Sequence, residues 1–452
     1  MGSSRRTSAT TRRLALFAVA GTLLLAAGLS ALGQPTVLRE TGLLLRGIQG
    51  ADSWRPMAQA HARLRQTGRQ PGQAQPLYDW LFFDRRVKFI YPPTALLGIE
   101  GLDRSLPRSR WADALATLSL LMVALNAALV AALLDRKLSP VAPPVSRLDR
   151  GVRMASAVLL TLCFYPVVKA YSLGQAQVVV NALLASLLLA WSLGSRVLSG
   201  VLVAAMCAIK PQYALIVVWG AARGEWRFVA AAAAAGFGVL ALSVWEFGLA
   251  SHLNYLEVLA TISRVGEAYY PNQTVNGLLN RALGNGDSLR WDPHHYPPYH
   301  PVVHAGTLLS SLALLGLTVL WRPRRPLRGG ILDLCAAALA ATLASPIAWE
   351  HHHGVLLPIH ACLLPALLER PVLGRATLPV LAISFVLSSH FLPAANRLAG
   401  TPLAAAQSYL LFAALAVLAL LIALLHAPNA ELPTGRAARV TPALARPGAG
   451  EL

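Results

Sequence analysis

Ten apolar runs of spanning or near-spanning length punctuate this chain, at about 14–32, 112–134, 154–168, 177–194, 226–248, 302–321, 331–349, 355–369, 377–393 and 402–426. A bilayer core takes about 20 helical residues to cross, so the shorter runs must borrow from their flanks. No single globule can hide this much apolar surface. Hydrophobic residues make up 55% of the chain and charged ones 13%, where a soluble protein carries about a quarter charged. That excludes an ordinary cytosolic enzyme, a disordered tail protein and a collagen-like fibre. What is left is an all-α polytopic membrane protein, because backbone in lipid must satisfy its own hydrogen bonds.

Two segments break the pattern. Residues 198–221 are interrupted by Lys210-Pro211, where proline removes a helical donor and clashes with the preceding turn; two short helices should meet there inside the membrane. Residues 89–103 are too short to cross comfortably. Counting these as re-entrant or interfacial pieces gives about ten spans, and ten to twelve transmembrane helices in all. Arg5, Arg6, Arg12 and Arg13 precede the first run, which is too long for a cleaved signal peptide and reads as an anchor with residues 1–13 in the cytoplasm. Arg322, Arg324, Arg325 and Arg328 crowd one short loop, and residues 135–153 hold five basic side chains against two acids; both loops come out cytoplasmic. The long loops at about 34–88 and 249–300 then face outward, and the Pro-, Gly-, Ala- and Arg-rich tail 427–452 reads as disordered and cytoplasmic. With no soluble domain, any chemistry belongs to outer loops and broken helices within residues 14–426.

The formal net charge is +19, with only four lysines among 39 basic residues. Such a balance suits nucleic acid, an anionic lipid surface or an anionic substrate. No hydrophilic domain is large enough for nucleic acid. Cys163, Cys207, Cys335 and Cys362 lie inside apolar runs without paired spacing, so neither a disulfide framework nor a zinc motif follows.

Candidate chemistry gathers at a few positions. Asp52, in the first outer loop, can serve as a general base; read alone it is equally a solvated loop acid or helix N-cap. Asp79 and Asp84 are weaker rivals beside basic neighbours. Tyr78, Arg85, Arg86, Lys88 and Tyr91 form either an interfacial belt or a rim that grips a lipid headgroup phosphate. Lys210 lies in an apolar stretch, where a charge costs at least about 2.5 kcal/mol, so it needs a partner, a purpose or a route to the headgroups. Gln175, in Gly174-Gln175-Ala176-Gln177 with Asn181 beyond, can bond sugars or join helices. The second loop carries Asn272-Gln273-Thr274-Val275-Asn276-Gly277. Glu350-His351-His352-His353 follows Ser345-Pro346-Ile347-Ala348-Trp349. Adjacent histidines on a helix point apart, which favours phosphate contact or proton shuttling over a bound metal.

In this order the elements resemble glycosyltransferase family 87, the polyprenyl-phosphate-dependent mannosyltransferase-like members of the GT-C superfamily. The resemblance runs over about residues 14–426. It implies a GT-C-type fold, with Asp52 as the base for an inverting, single-displacement transfer. The implied donor is mannose β-linked to polyprenyl phosphate, the implied product an α-linkage. The leaving phosphate would be met by His351, His352 and the Arg85–Lys88 cluster. Tyr78, Tyr91, Gln175, Lys210, Asn272, Gln273, Asn276 and Glu350 would complete the substrate site. Two positions depart from the family's pattern: the asparagine expected soon after Gly174-Gln175 is Gln177 or slides to Asn181, and Glu350 stands where the family has aspartate. The expected partners are the polyprenyl-phosphate sugar, a glycolipid or glycan acceptor and the bilayer, with no nucleic acid. The expected setting is the bacterial inner membrane, with the site on its outer, periplasmic face. No cofactor or metal site is implied, and a divalent cation is left open. An arabinofuranosyltransferase of the same fold is an alternative. So is a secondary transporter or lipid flippase, though that should show an internal repeat between halves, and none is visible.

Overall fold

The computed structural model describes residues 2–427 apart from 32–33, 35, 68–74, 145, 325–326, 370–373 and 375. The tail expected to be disordered, from residue 428 on, lies outside the described residues. Helices follow in the order α1 (Gly2–Ala31), α2 (Val37–Leu45), α3 (Trp54–Thr67), α4 (Leu97–Ser105), α5 (Trp111–Leu138), α6 (Arg147–Leu162), α7 (Tyr165–Leu173), α8 (Gln177–Ser192) and α9 (Arg196–Ile209). They continue as α10 (Ala214–Arg223), α11 (Trp226–Phe247), α12 (Leu249–Val265), α13 (Val275–Ala282), α14 (Pro301–Leu315), α15 (Ile331–Leu343), α16 (Leu356–Glu369), α17 (Thr377–Ser389) and α18 (Tyr409–His426). Among the described residues there is no β-strand, only an isolated antiparallel pairing of Asn272 with Trp349.

The protein is an all-α polytopic membrane protein. Among the described residues four helical segments are long and apolar enough to cross a bilayer: Arg108–Leu138, Trp226–Phe247, Pro301–Leu320 and Ala404–His426. A fifth forms if α6 and α7, bent by 51° at their junction, count as one span. Other runs fold as shorter apolar helices, including α8, α15 and α17, and so does α9 before the Lys210-Pro211 break. Trp245, Phe237, Leu309 and Leu312 stand exposed on α11 and α14, an outward apolar surface that suits lipid and would aggregate in water.

The bends have chemical causes. Pro166, in the first turn of α7, supplies no donor for the carbonyl of Leu162, and Thr41 Oγ1 of α2 takes that carbonyl at 2.7 Å. At Lys210-Pro211 the helix breaks as the sequence predicts. Lys210 is extended (φ −139°, ψ 97°), the conformation favoured before proline. The Thr94 hydroxyl bonds the Ala208 carbonyl at 2.7 Å, which ties the Tyr91-Pro92-Pro93-Thr94 element to the break. Next to it, α9 and α11 pack closely. A Cβ on Gly200 would press into the backbone of Phe228 and Ala232, and small residues are how helices approach in lipid.

The two long loops expected to face outward are largely helical, holding α2, α3 and a π-turn at Asp79–Asp84 in the first and α12 and α13 in the second. At nine residues α4 is about 14 Å long, too short to cross a core of about 30 Å. On the far side, Arg223 and Asp333 form a fully buried ion pair at 2.7 Å. Arg223 also donates to the carbonyls of Thr318 and Val319, both at 2.8 Å, where α14 loosens into a π-turn.

Candidate functional site

Asp52 reaches its position by backbone bonds to the end of α7. The N–H groups of Gly50, Asp52 and Ser53 donate to the carbonyls of Ser172, Leu173 and Gly174, at 2.8, 2.9 and 3.1 Å. Those are carbonyls a helix C-terminus leaves free. The approach needs glycine: Gly174 sits at φ +69°, and a Cβ there would collide with the Gly50 carbonyl. Gln175, next in sequence, donates its amide N–H to Asp52 Oδ2. Its oxygen accepts from Ser53 Oγ at 2.7 Å and Tyr91 Oη at 3.0 Å. The Gly174-Gln175 and Tyr91-Pro92-Pro93 elements thus meet at one carboxylate and orient it. Protein encloses that carboxylate on most sides while its tip opens into a cavity. The enclosure raises its pKa above the ordinary carboxylate value, against a lowering by the Gln175 bond and by Lys169.

The cavity holds about 530 Å³. Across it from the viewpoint of chemistry stands a set of nitrogen donors. Lys210 Nζ, His351 Nε2, His352 Nδ1 and Trp349 Nε1 are all buried without a hydrogen-bond partner among the described residues, and all four residues line this cavity. Unpartnered buried polar groups are costly, so four around one void mark a place shaped for a ligand rich in acceptors. Burial pushes both imidazoles well below the usual histidine value, which favours the neutral ring, one nitrogen donating and the other accepting. Among the described residues no group of three or more His, Cys, Asp or Glu side chains is placed to hold a metal ion.

The remaining candidates, Lys88 apart, lie outside the cavity lining. Tyr78 is fully buried behind the wall, donating to the Tyr91 carbonyl at 2.6 Å and stacked on Phe89. Arg85 lies over the Trp80 ring at 5.0 Å, and Arg86 bonds His295. Lys88 lines the cavity but is paired with Glu267 at 2.7 Å. The Asn272 side chain spends every polar atom on the fold, donating to the Glu267 and Pro346 carbonyls and accepting from Thr274 Oγ1 and the Ala348 N–H. Gln273 bonds the backbone of Tyr270, Gln407 and Leu411, and Asn276 holds the Glu267 N–H and Thr307. Asn272 thus ties the second long loop to the Ser345–Trp349 segment, Gln273 ties it to the start of α18, and Asn276 ties it to α14. Glu350 points away from the cavity wall towards the hydroxyls of Tyr165 and Tyr409, at 3.4 and 3.3 Å. Glu267, Trp291 and Tyr296 line the cavity without having been singled out by sequence. Nothing in the pattern distinguishes them from the other loop acids and aromatics.

The model of glycosyltransferase family 87 matches residues 89–346, more than half the chain. The chain belongs to glycosyltransferase family 87. It is 27% identical over 335 residues to a polyprenol-phosphate-mannose-dependent alpha-(1-2)-phosphatidylinositol mannoside mannosyltransferase of Mycolicibacterium smegmatis, covering 68% of this chain and 70% of that one. It is also 30% identical over 203 residues to a polyprenol-phosphate-mannose-dependent alpha-(1-2)-phosphatidylinositol pentamannoside mannosyltransferase of the same organism, covering 44% and 45%. No solved structure matches the chain.

Family 87 membership makes this protein a membrane hexosyltransferase. The matched stretch contains Tyr91, Gln175, Lys210 and Glu267, whereas Asp52, His351 and His352 lie outside it. The cavity reunites both sets. For a glycosyl transfer the arrangement offers one anchored carboxylate to accept a proton, one unpartnered lysine nitrogen, and two imidazoles around a space large enough for a sugar.

Proposed function

We propose that this family 87 protein transfers a mannosyl group from a polyprenyl-phosphate donor to a hydroxyl of a glycolipid or glycan acceptor, at the outer face of the membrane. The observation that carries the reading is the shared cavity of Asp52 and the unpartnered Lys210 ammonium. Asp52 takes the proton of the acceptor hydroxyl. The hydroxyl oxygen bonds to the anomeric carbon from the side opposite the phosphate, and the carbon–oxygen bond to the phosphate breaks. That single displacement inverts a β-linked donor to an α-linked product. The leaving polyprenyl phosphate is an anion, so cationic and hydrogen-bond donors stabilise it as charge develops. Lys210 supplies the charge, and His351 and His352 supply hydrogen bonds. The M. smegmatis relatives, named for polyprenol-phosphate-mannose and phosphatidylinositol mannosides, support the donor and the acceptor class.

The test uses membranes supplied with radiolabelled polyprenyl-phosphate-mannose and an extracted glycolipid pool. Lys210→Met should lower kcat/KM by about 10- to 100-fold, the worth of a charge-assisted bond to phosphate. Wild-type rates in the variant would remove Lys210 from the donor site. No transfer by the wild type from this donor would sink the reading as a whole.

The pH profile gives a second check. Asp52 works only when ionised and its pKa is raised by burial, so the rate should fall as pH drops through a value above the free aspartate's, about 3.9. Gln175→Leu removes a hydrogen bond that favours the ionised form. The acid limb of kcat/KM should then move to higher pH. A limb that stays put would mean that Gln175 does not tune the base.

A further inference from the structure

The cavity contains two lysines in opposite electrostatic states. Lys210 Nζ has no partner, whereas Lys88 Nζ lies 2.7 Å from Glu267 Oε2. A cancelled pair offers no net charge to a phosphate. It does offer a carboxylate that accepts from hydroxyls and an ammonium that donates to them, side by side. The pair is framed by aromatic rings, with Lys88 Nζ 4.3 Å from the Tyr296 centroid and 5.7 Å from that of Trp291. Trp291 is 40% exposed and meets Trp349 edge to face at 5.8 Å. A pyranose has matching halves: neighbouring hydroxyls that bridge a carboxylate and an ammonium, and a C–H face that stacks on an aromatic ring.

We propose that Glu267 and Lys88, with Trp291 and Tyr296, form a subsite for a neutral hexopyranose of the acceptor glycan. It lies in the same cavity as the phosphate-binding Lys210 and is chemically distinct from it. The assignment to the acceptor rests on the transferase reading above. Beyond Lys88 and Tyr296, which it shares with the cavity, a hollow of about 300 Å³ continues past Phe82, Arg86, His294 and His295. The rest of an acceptor longer than one sugar has room there.

Saturation-transfer NMR on the purified full-length protein in detergent, with methyl α-mannopyranoside as probe, tests the subsite without any transfer reaction. Glu267→Gln and Trp291→Ala should each weaken the signal about tenfold, the loss of a hydrogen bond to a charged group or of an aromatic platform. Lys210→Met should leave it intact. A signal unchanged in both variants, or lost equally in Lys210→Met, overturns the subsite. In transfer assays the same two variants should raise KM for the acceptor and leave KM for the donor unchanged. A rise in donor KM instead would also overturn it. Among the described residues Glu267 pairs its side chain with Lys88, and Asn272 and Asn276 hold its backbone, so Glu267→Gln should fold. The exposed Trp291 provides an independent variant. A wild type that binds the sugar but transfers nothing from polyprenyl-phosphate-mannose would sink the transferase reading and leave the subsite standing.

Discussion

Asp52→Asn should reduce mannosyl transfer by about 10²- to 10⁴-fold, the usual worth of a positioned general base, with the thermal unfolding profile unchanged. The separation of activity from folding follows from how the residue is held. Its main chain hangs on the α7 carbonyls, which the substitution does not touch, and an asparagine oxygen can still accept from Gln175. Asparagine cannot take the acceptor's proton. Initial rates with saturating donor and acceptor, set beside unfolding in detergent, measure both halves. Transfer at wild-type rates would remove Asp52 as the base and leave the cavity without a proton acceptor at that wall. A loss of activity matched by a loss of folded protein would make the residue structural.

The second large effect concerns stability. Asp333→Ala should cost about 3–5 kcal/mol, because it strands the Arg223 guanidinium in a place without water. In the intact protein Asp333 accepts from Arg223, from Trp219 Nε1 at 3.0 Å and from the Gly329 N–H at 2.9 Å. One carboxylate therefore joins α10, the loop before α15 and, through Arg223, the loosened end of α14. Replacing both partners by apolar residues, Arg223→Met with Asp333→Leu, should recover most of the loss, since an apolar pair of similar volume is often neutral or better. Unfolding free energies of the single and double variants measure this. If the double variant is as unstable as the single one, the carbonyls of Thr318 and Val319 need the guanidinium more than the guanidinium needs Asp333.

Much of the fold was legible because lipid leaves a chain few choices. The apolar runs became helices, and Lys210-Pro211 broke one where expected. The outer loops were less legible. Their helices are short and amphipathic, and α12 buries Asn254 and Tyr255 against the first loop while exposing Leu253 and Leu256. To the eye that pattern reads as a polar connector. Asp52, Gln175, Tyr91, Lys210, His351 and His352 share one cavity, and their roles stay a proposal. The basic surplus of the first loop, nine cations against four acids over residues 34–88, looked like a phosphate grip. Several of those cations have protein partners instead: Arg65 on Glu100, Arg63 and Arg85 on Trp80, Lys88 on Glu267. Pairing is a property of three-dimensional neighbours, and Glu100 and Glu267 stand far from these cations in the chain. Lys210 lines the cavity without a hydrogen-bond partner among the described residues; its cost in an apolar stretch and its place in the Lys210-Pro211 break both mark it in the sequence.

The bent span through α6 and α7 has a mechanical consequence. Asp52 is fastened to the last carbonyls of α7, while the turn Glu350–Val355 that carries the histidines packs along the same helix and meets Tyr165 at its start. Asp52 and the histidine-bearing turn are therefore both held against a single nine-residue helix. When the surrounding bilayer thins, thickens or curves, the long helices can tilt and this short helix can ride with them. The spacing between the two halves of the chemistry should change less than the spacing between the spans, which lets one machine run in membranes of differing thickness.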